Sequence, residues 1–324
     1  MAANRKPANG FTQVLQRKPL ARYLFWLGIA AVLVLLGWIF NDIKGGFYEI
    51  PLDDWVNIGV GWLIIKLAVV FDGIKLVTQV VLNNLEKFLL WLPWWVVLIS
   101  IVLVAWRLAS VRVAIFSGAA MYFIGSLGLW GLCMSTLALI ATAVLISIVL
   151  GVPIGILSAR SDRVDNIVRP VLDVMQTMPA FVYLIPALMF FGIGKVPGVI
   201  ATVIFAVPPA VRLTNLGIRQ VPKDLVEAAH TFGSTGMQLL VKVQIPLALP
   251  SIMAGINQTI MLSLSMVVLA AMIAAGGLGR EVIMALGQVD IGRGFVAGTA
   301  IVLVAMILDR VTQSLVKKRQ TNEL

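Results

Sequence analysis

Long apolar runs separated by short polar breaks organise this chain. The first run, residues 23–40, is long enough to cross a bilayer, because about 20 apolar residues in a helix span the hydrocarbon. Further runs predict helices at about 93–106, 113–130, 133–157, 171–191, 199–213, 251–275 and 295–311. With the first they make about eight spans. The run at 55–90 is different, since Lys66, Asp72, Lys75, Glu86 and Lys87 interrupt it. Charges at mid-membrane cost a few kcal/mol each. The pattern predicts an amphipathic helix lying along the outer face, with a true span as the alternative.

Composition agrees with a polytopic all-α membrane protein. Of 324 residues, 60% are hydrophobic and 12% charged, with a mean hydropathy of +0.99; soluble domains carry about a quarter charged residues. No small-residue cleavage site clearly follows the first run, so it reads as a span and not as a removed signal. The net charge of +10 invites a nucleic-acid reading. However, the basic residues sit in short clusters beside apolar runs, as the positive-inside rule expects, and form no soluble patch. Alternation of the spans puts about 18 of the 25 Lys and Arg residues on one side. That side is the cytoplasm, with both termini there.

Several chemistries are excluded. No G-x-x-x-x-G-K-[ST] loop occurs: Gly192, Gly194 and Lys195 come nearest, but Val196 follows the lysine. There is no His-Glu-x-x-His pair and no nucleophile elbow. Cys133 has no companion for a disulfide or metal cluster, and His230 has no ligand partner nearby. Asp173 and Asp309 fall near predicted cytoplasmic ends, so the span interiors lack the ionisable relay usual in ion-coupled carriers. Trp91, Trp94 and Trp95 read as an interfacial belt in preference to an ammonium cage, because cage aromatics must converge. Two glycine-rich outer connections, 192–198 and 276–294, suit tight turns or a buried re-entrant piece.

The connection at 214–250 is far longer than the two to eight residues usual between packed helices. Pro222 suits a helix start, and Asp224 and Glu227 are expected in the first turn, where the dipole favours acids. Ala228 and Ala229 offer a small, flat surface. Gly233 permits the left-handed residue that ends a helix. A second short helix is expected at 235–243, stopped by Pro246 and Pro250 before the next span.

These residues carry a resemblance. Glu227-Ala228-Ala229, three residues, Gly233, then Val243, Ile245 and Pro246 resemble the EAA loop of permease subunits in ABC importers. The segments 169–184, 191–199 and 252–259 are similar to the glycine betaine/proline betaine (ProW-type) branch, and the likeness runs from about Trp55 to the end. The resemblance implies a type I importer transmembrane domain with a core of about five spans at 132–314. Ahead of it stand a basic cytoplasmic N-terminus (1–22), the first span (23–40), the external segment (41–92) and two accessory spans (93–131); a basic tail (315–324) follows. It implies that Glu227, Ala228, Ala229 and Gly233 build the helix that couples to a cytoplasmic ATPase, with Glu227 capping and orienting it. ATP and Mg²⁺ would bind that partner ATPase dimer, and this chain would hold no cofactor. An extracytoplasmic binding protein would deliver a quaternary ammonium osmolyte to a permease homodimer. Met175, Thr177, Met178, Phe181 and Tyr183, beside the Pro179 break, are candidates for the translocation path, with plain packing equally open. An ion-coupled carrier and an osmotically gated channel are the rival functions.

Overall fold

The structure, a computed structural model, describes the backbone of residues 19–39 and 50–321. The cytoplasmic placement of 1–18, the reversal at Asn41-Asp42 and the end of the basic tail lie outside these residues. Every regular element among them is helical.

The chain divides into two units at Gly61 and Trp62. The first holds α1 (Pro19–Ile39) and most of α2 (Leu52–Lys66). The described side chains of α1 are apolar and almost all exposed. Asp53 and Asp54 begin α2 and Lys66 ends it, each at the helix pole its charge favours.

In the second unit, α3 (Ala68–Trp91) follows a break at Leu67, whose backbone leaves the helical region (φ −106°, ψ 17°). The single helix expected at 55–90 is therefore two. α3 has the length and hydropathy of a span. Phe71 near its start stacks on Phe190 at 4.5 Å and meets Phe191 edge-on at 5.8 Å. Glu86 near its end reaches Lys195. The helices α4 (Trp94–Leu108) and α5 (Val111–Ser126) pack as a hairpin, with Ser110 capping the second. Their 15 and 16 residues rise only about 22–24 Å, against a hydrocarbon core of about 30 Å. Five helices are long and apolar enough to cross, or six if one bent pair counts. Among the described residues the expected total of eight is not reached by helices of spanning length.

The core is built around α9 (Lys195–Arg219), which packs along α6 (Trp130–Arg160) on one side and α12 (Ile245–Ala270) on the other. Membrane helices associate by close packing of small residues. Here Gly151 and Gly155 of α6 lie against Ala210 and Thr214, so that a Cβ at 155 would stand 2.6 Å from the Thr214 Cβ. Gly255 of α12 sits against the Pro209 carbonyl in the same way. One apolar cluster joins Leu82, Met134, Leu139, Val199, Val203, Val267, Leu278 and Val304 across α3, α6, α9, α12, α13 (Gly277–Gln288) and α14 (Ile291–Thr321). The connection expected at 276–294 is thus partly the helix α13. Its start is buried, and the Leu278 N–H donates to Thr136 Oγ1 at 2.7 Å.

Two expectations fail. The run at 171–191 is not one straight helix: α7 (Asp162–Thr177) and the pair formed by the 3₁₀ turn Ala180–Tyr183 and α8 (Leu184–Phe191) meet at 110°. Pro179 forces Met178 into an extended conformation (ψ 135°) and ends α7. The prolines at 246 and 250 do not stop the second loop helix either. α11 (Gly236–Leu239) runs through a π turn at Leu240–Gln244 into α12, giving continuous helix over Gly236–Ile273. In that turn the Ile245 N–H bonds back to Leu240. The wider ladder accommodates a proline ring that an α-turn would push against a carbonyl.

Candidate functional site

The loop helix α10 (Lys223–Thr231) starts directly after Pro222, with Asp224 as the only acid in its first turn. Glu227 lies one turn further on than expected. Its side chain is exposed and takes part in no hydrogen bond or ion pair among the described residues, so it caps none of them. Ala228 is exposed, and Ala229 is buried against the core.

The helix ends in a Schellman motif. The Ser234 N–H donates to Ala229 O at 3.1 Å, and the Gly233 N–H to His230 O at 2.9 Å. Gly233 has φ +75°, the left-handed value that an L side chain resists. Thr235 then caps α11 in a reciprocal box with Gln238. The loop is therefore a rigid pair of capped helices. Beneath it, Ile218, Leu240, Ala248 and Ile252 form a buried cluster that also engages Val152 and Ile156 of α6. Leu225, Phe232, Met237 and Val241 of this stretch are exposed, Phe232 at 90%. Sequence reasoning did not single out these exposed hydrophobes, because nothing marks which loop hydrophobes turn inward.

The five path candidates separate. Pro179 has no N–H, so the Met175 carbonyl loses its helical donor. The Tyr183 hydroxyl supplies it, and Tyr183 is buried with its ring near Phe205. Met175 and Met178 are half-buried against the two neighbouring apolar clusters. Thr177 and Phe181 are exposed, and the Thr177 hydroxyl donates to Val174 O.

Polar ties lash α7 to α9 near the loop. Arg219 donates to Asp162 at 2.7 Å and to the Ser158 carbonyl at 2.8 Å. The buried Asp165 accepts from Asn215 at 2.6 Å and Arg169 at 2.9 Å. Arg212 holds both Asp173 and Gln176. Asp173, expected simply to reach the interface, is one of these partners. The bent segment and the loop that follows α9 are thus joined through the last turns of α9.

These features define a class: a multi-helix membrane component with a capped helical loop between two of its long helices. Over residues 151–321 the chain matches the family described as binding-protein-dependent transport system inner membrane component, and it belongs to that family. It is therefore a multi-pass inner-membrane component of a transport system. It is 51% identical to the glycine betaine/proline betaine transport system permease protein ProW of Escherichia coli (strain K12), over 82% of this chain and 75% of that one. It is 50% identical to the glycine betaine transport system permease protein OpuAB of Bacillus subtilis (strain 168), over 84% and 97% respectively. An inward-facing MetNI methionine ABC transporter structure shares its fold at TM-score 0.53 and 20% identity, over 57% of this chain and 92% of that one. The two rival functions, ion-coupled carrier and gated channel, find no support in these relatives.

Proposed function

We propose that this chain is the permease subunit of an ATP-driven importer for quaternary ammonium osmolytes such as glycine betaine, choline or proline betaine. Two copies form the pore, two ATPase subunits holding ATP and Mg²⁺ grip it from the cytoplasm, and a binding protein delivers the solute from outside. The observation that carries this reading is the exposure of four large hydrophobes, Leu225, Phe232, Met237 and Val241, on a capped polar loop. Exposed hydrophobes among polar residues suit a protein partner. Glu227, Ala228, Ala229 and Gly233 shape the loop that presents them. ATPase closure draws the two loops together, and α9, which leaves the loop through Gln220–Pro222, carries the motion into the core. The osmolyte class rests on the relatives' substrates, and a cation without N–H donors is recognised by aromatic faces, chiefly in the binding protein.

Both termini and the loop are cytoplasmic in this reading, so residues 192–195 lie on the outer side. α3 rests along that side: Phe71 and Glu86, separated by about 22 Å of helix, both contact the stretch 190–195.

Glu227→Arg tests the coupling role. Because the Glu227 side chain has no partner among the described residues, the variant reaches the membrane at the wild-type level and uptake of labelled glycine betaine is lost. Uptake at the wild-type rate refutes the docking function of the loop. Uptake into vesicles driven by an ion gradient without ATP refutes the importer reading as a whole.

A further inference from the structure

At the end of the core away from the coupling loop, three segments converge around Lys195. Its Nζ donates to both carboxylate oxygens of Glu86 in α3 at 2.6 Å. The Ser135 hydroxyl of α6 donates to the same Glu86 Oε1 at 2.6 Å. The lysine stem passes close to Gly276, and the Gly194 N–H bonds to Ile273 O at 3.1 Å. Glu86 is largely buried, with a side-chain exposure of 13%. A charged group this far from water is held where it is by its partners, since an unpaired buried carboxylate is costly.

Lys195 is also the first residue of α9. The same helix, packed along most of its length, ends at Arg219 just before the coupling helix. Its inner polar ties bind it to α7 and α6, parts of the same core. Its outer tie alone reaches α3, which stands outside the 151–321 family region. A rod driven at one end and fastened at the other must carry its fastening along or release it.

We propose that the Glu86–Lys195 pair, steadied by Ser135, is an outer latch. It holds α9 against α3 while the outer side is closed and parts when ATP binding opens the pore outward. Glu86, Lys195 and Ser135 are positioning residues and touch no substrate. The inference rests on the importer reading and its orientation.

Glu86→Gln keeps the side chain's shape and removes its charge. In the reconstituted complex with ATPase and binding protein, it raises ATP hydrolysis without substrate about fivefold, the shift expected of a partly exposed ion pair. Hydrolysis then loses its dependence on loaded binding protein. The swap Glu86→Lys with Lys195→Glu restores dependence, which a merely structural role would not require. Separately, cysteines at 86 and 195, in a chain with Cys133→Ala, are joined by a short reducible thiol linker. The joined complex stops importing and recovers on reduction. Unchanged basal hydrolysis in Glu86→Gln, or full uptake by the joined complex, overturns the latch. A swap as uncoupled as the single variant overturns it too. If wild-type hydrolysis itself does not respond to loaded binding protein, the importer reading fails and not the latch alone.

Discussion

Replacing Gly151 or Gly155 with alanine tests whether the α6–α9 contact is set by backbone proximity. A Cβ at 151 would lie 2.8 Å from the Ala210 Cβ, with the nearest backbone atom at 3.6 Å. That is roughly 0.7 Å inside the favourable range for two carbons. A Cβ at 155 would lie 2.6 Å from the Thr214 Cβ and 2.7 Å from the Val211 carbonyl oxygen. Overpacking costs about 1–3 kcal/mol, and alanine recovers about 1 kcal/mol over glycine within a helix. Gly151→Ala should therefore destabilise by about 0–2 kcal/mol, and Gly155→Ala by about 2 kcal/mol, lowering Tm by about 4–8 °C. The two differ in their repair. Ala210→Gly removes the whole obstruction at 151 and restores Tm. Thr214→Gly leaves the Val211 carbonyl in place and does not rescue Gly155→Ala. The chain supplies its own probe: Cys133, its one cysteine, is fully buried on α6. A thiol-reactive dye therefore labels it only as the core opens on heating in detergent. Wild-type stability in Gly155→Ala, or its full rescue by Thr214→Gly, would refute the reasoning.

Two further predictions follow from the break and from α2. Tyr183→Phe leaves the Met175 carbonyl without a donor and costs about 1–2 kcal/mol, read as a lower Tm by the same dye; an unchanged Tm would mean that the hydroxyl does not hold the break. A cysteine at position 66, at the end of α2, should react with an impermeant thiol reagent added outside intact cells, and labelling only from the inside would overturn the orientation.

What could be read in the sequence depended on how local the cause was. The long helices α6, α9, α12 and α14 follow from apolar length, and the start and end of α10 from Pro222 and Gly233. Pro179 marked a break whose angle could not be read, because the 110° bend is set by where Tyr183 and Leu184 find their packing. Pro246 misled, since a proline stops a helix only where the ladder cannot widen. The break at Leu67 has no glycine or proline to announce it. The Glu86–Lys195 contact joins residues 109 positions apart, beyond any pattern of spacing; Glu86 read only as one more charge weakening a hydrophobic run.

The π turn at Leu240–Gln244 has a further consequence. A π turn holds one residue more than the α-turn it replaces, and each residue of α-helix advances the side chain by about 100°. It therefore sets the azimuth at which α11 emerges from α12. Deleting one residue between 240 and 244 would leave α12 intact and turn α11, with Met237, about a quarter of the way around the axis relative to it. The extra residue works as a clocking pin: it fixes where around the axis α11 points, independently of how firmly that helix is held.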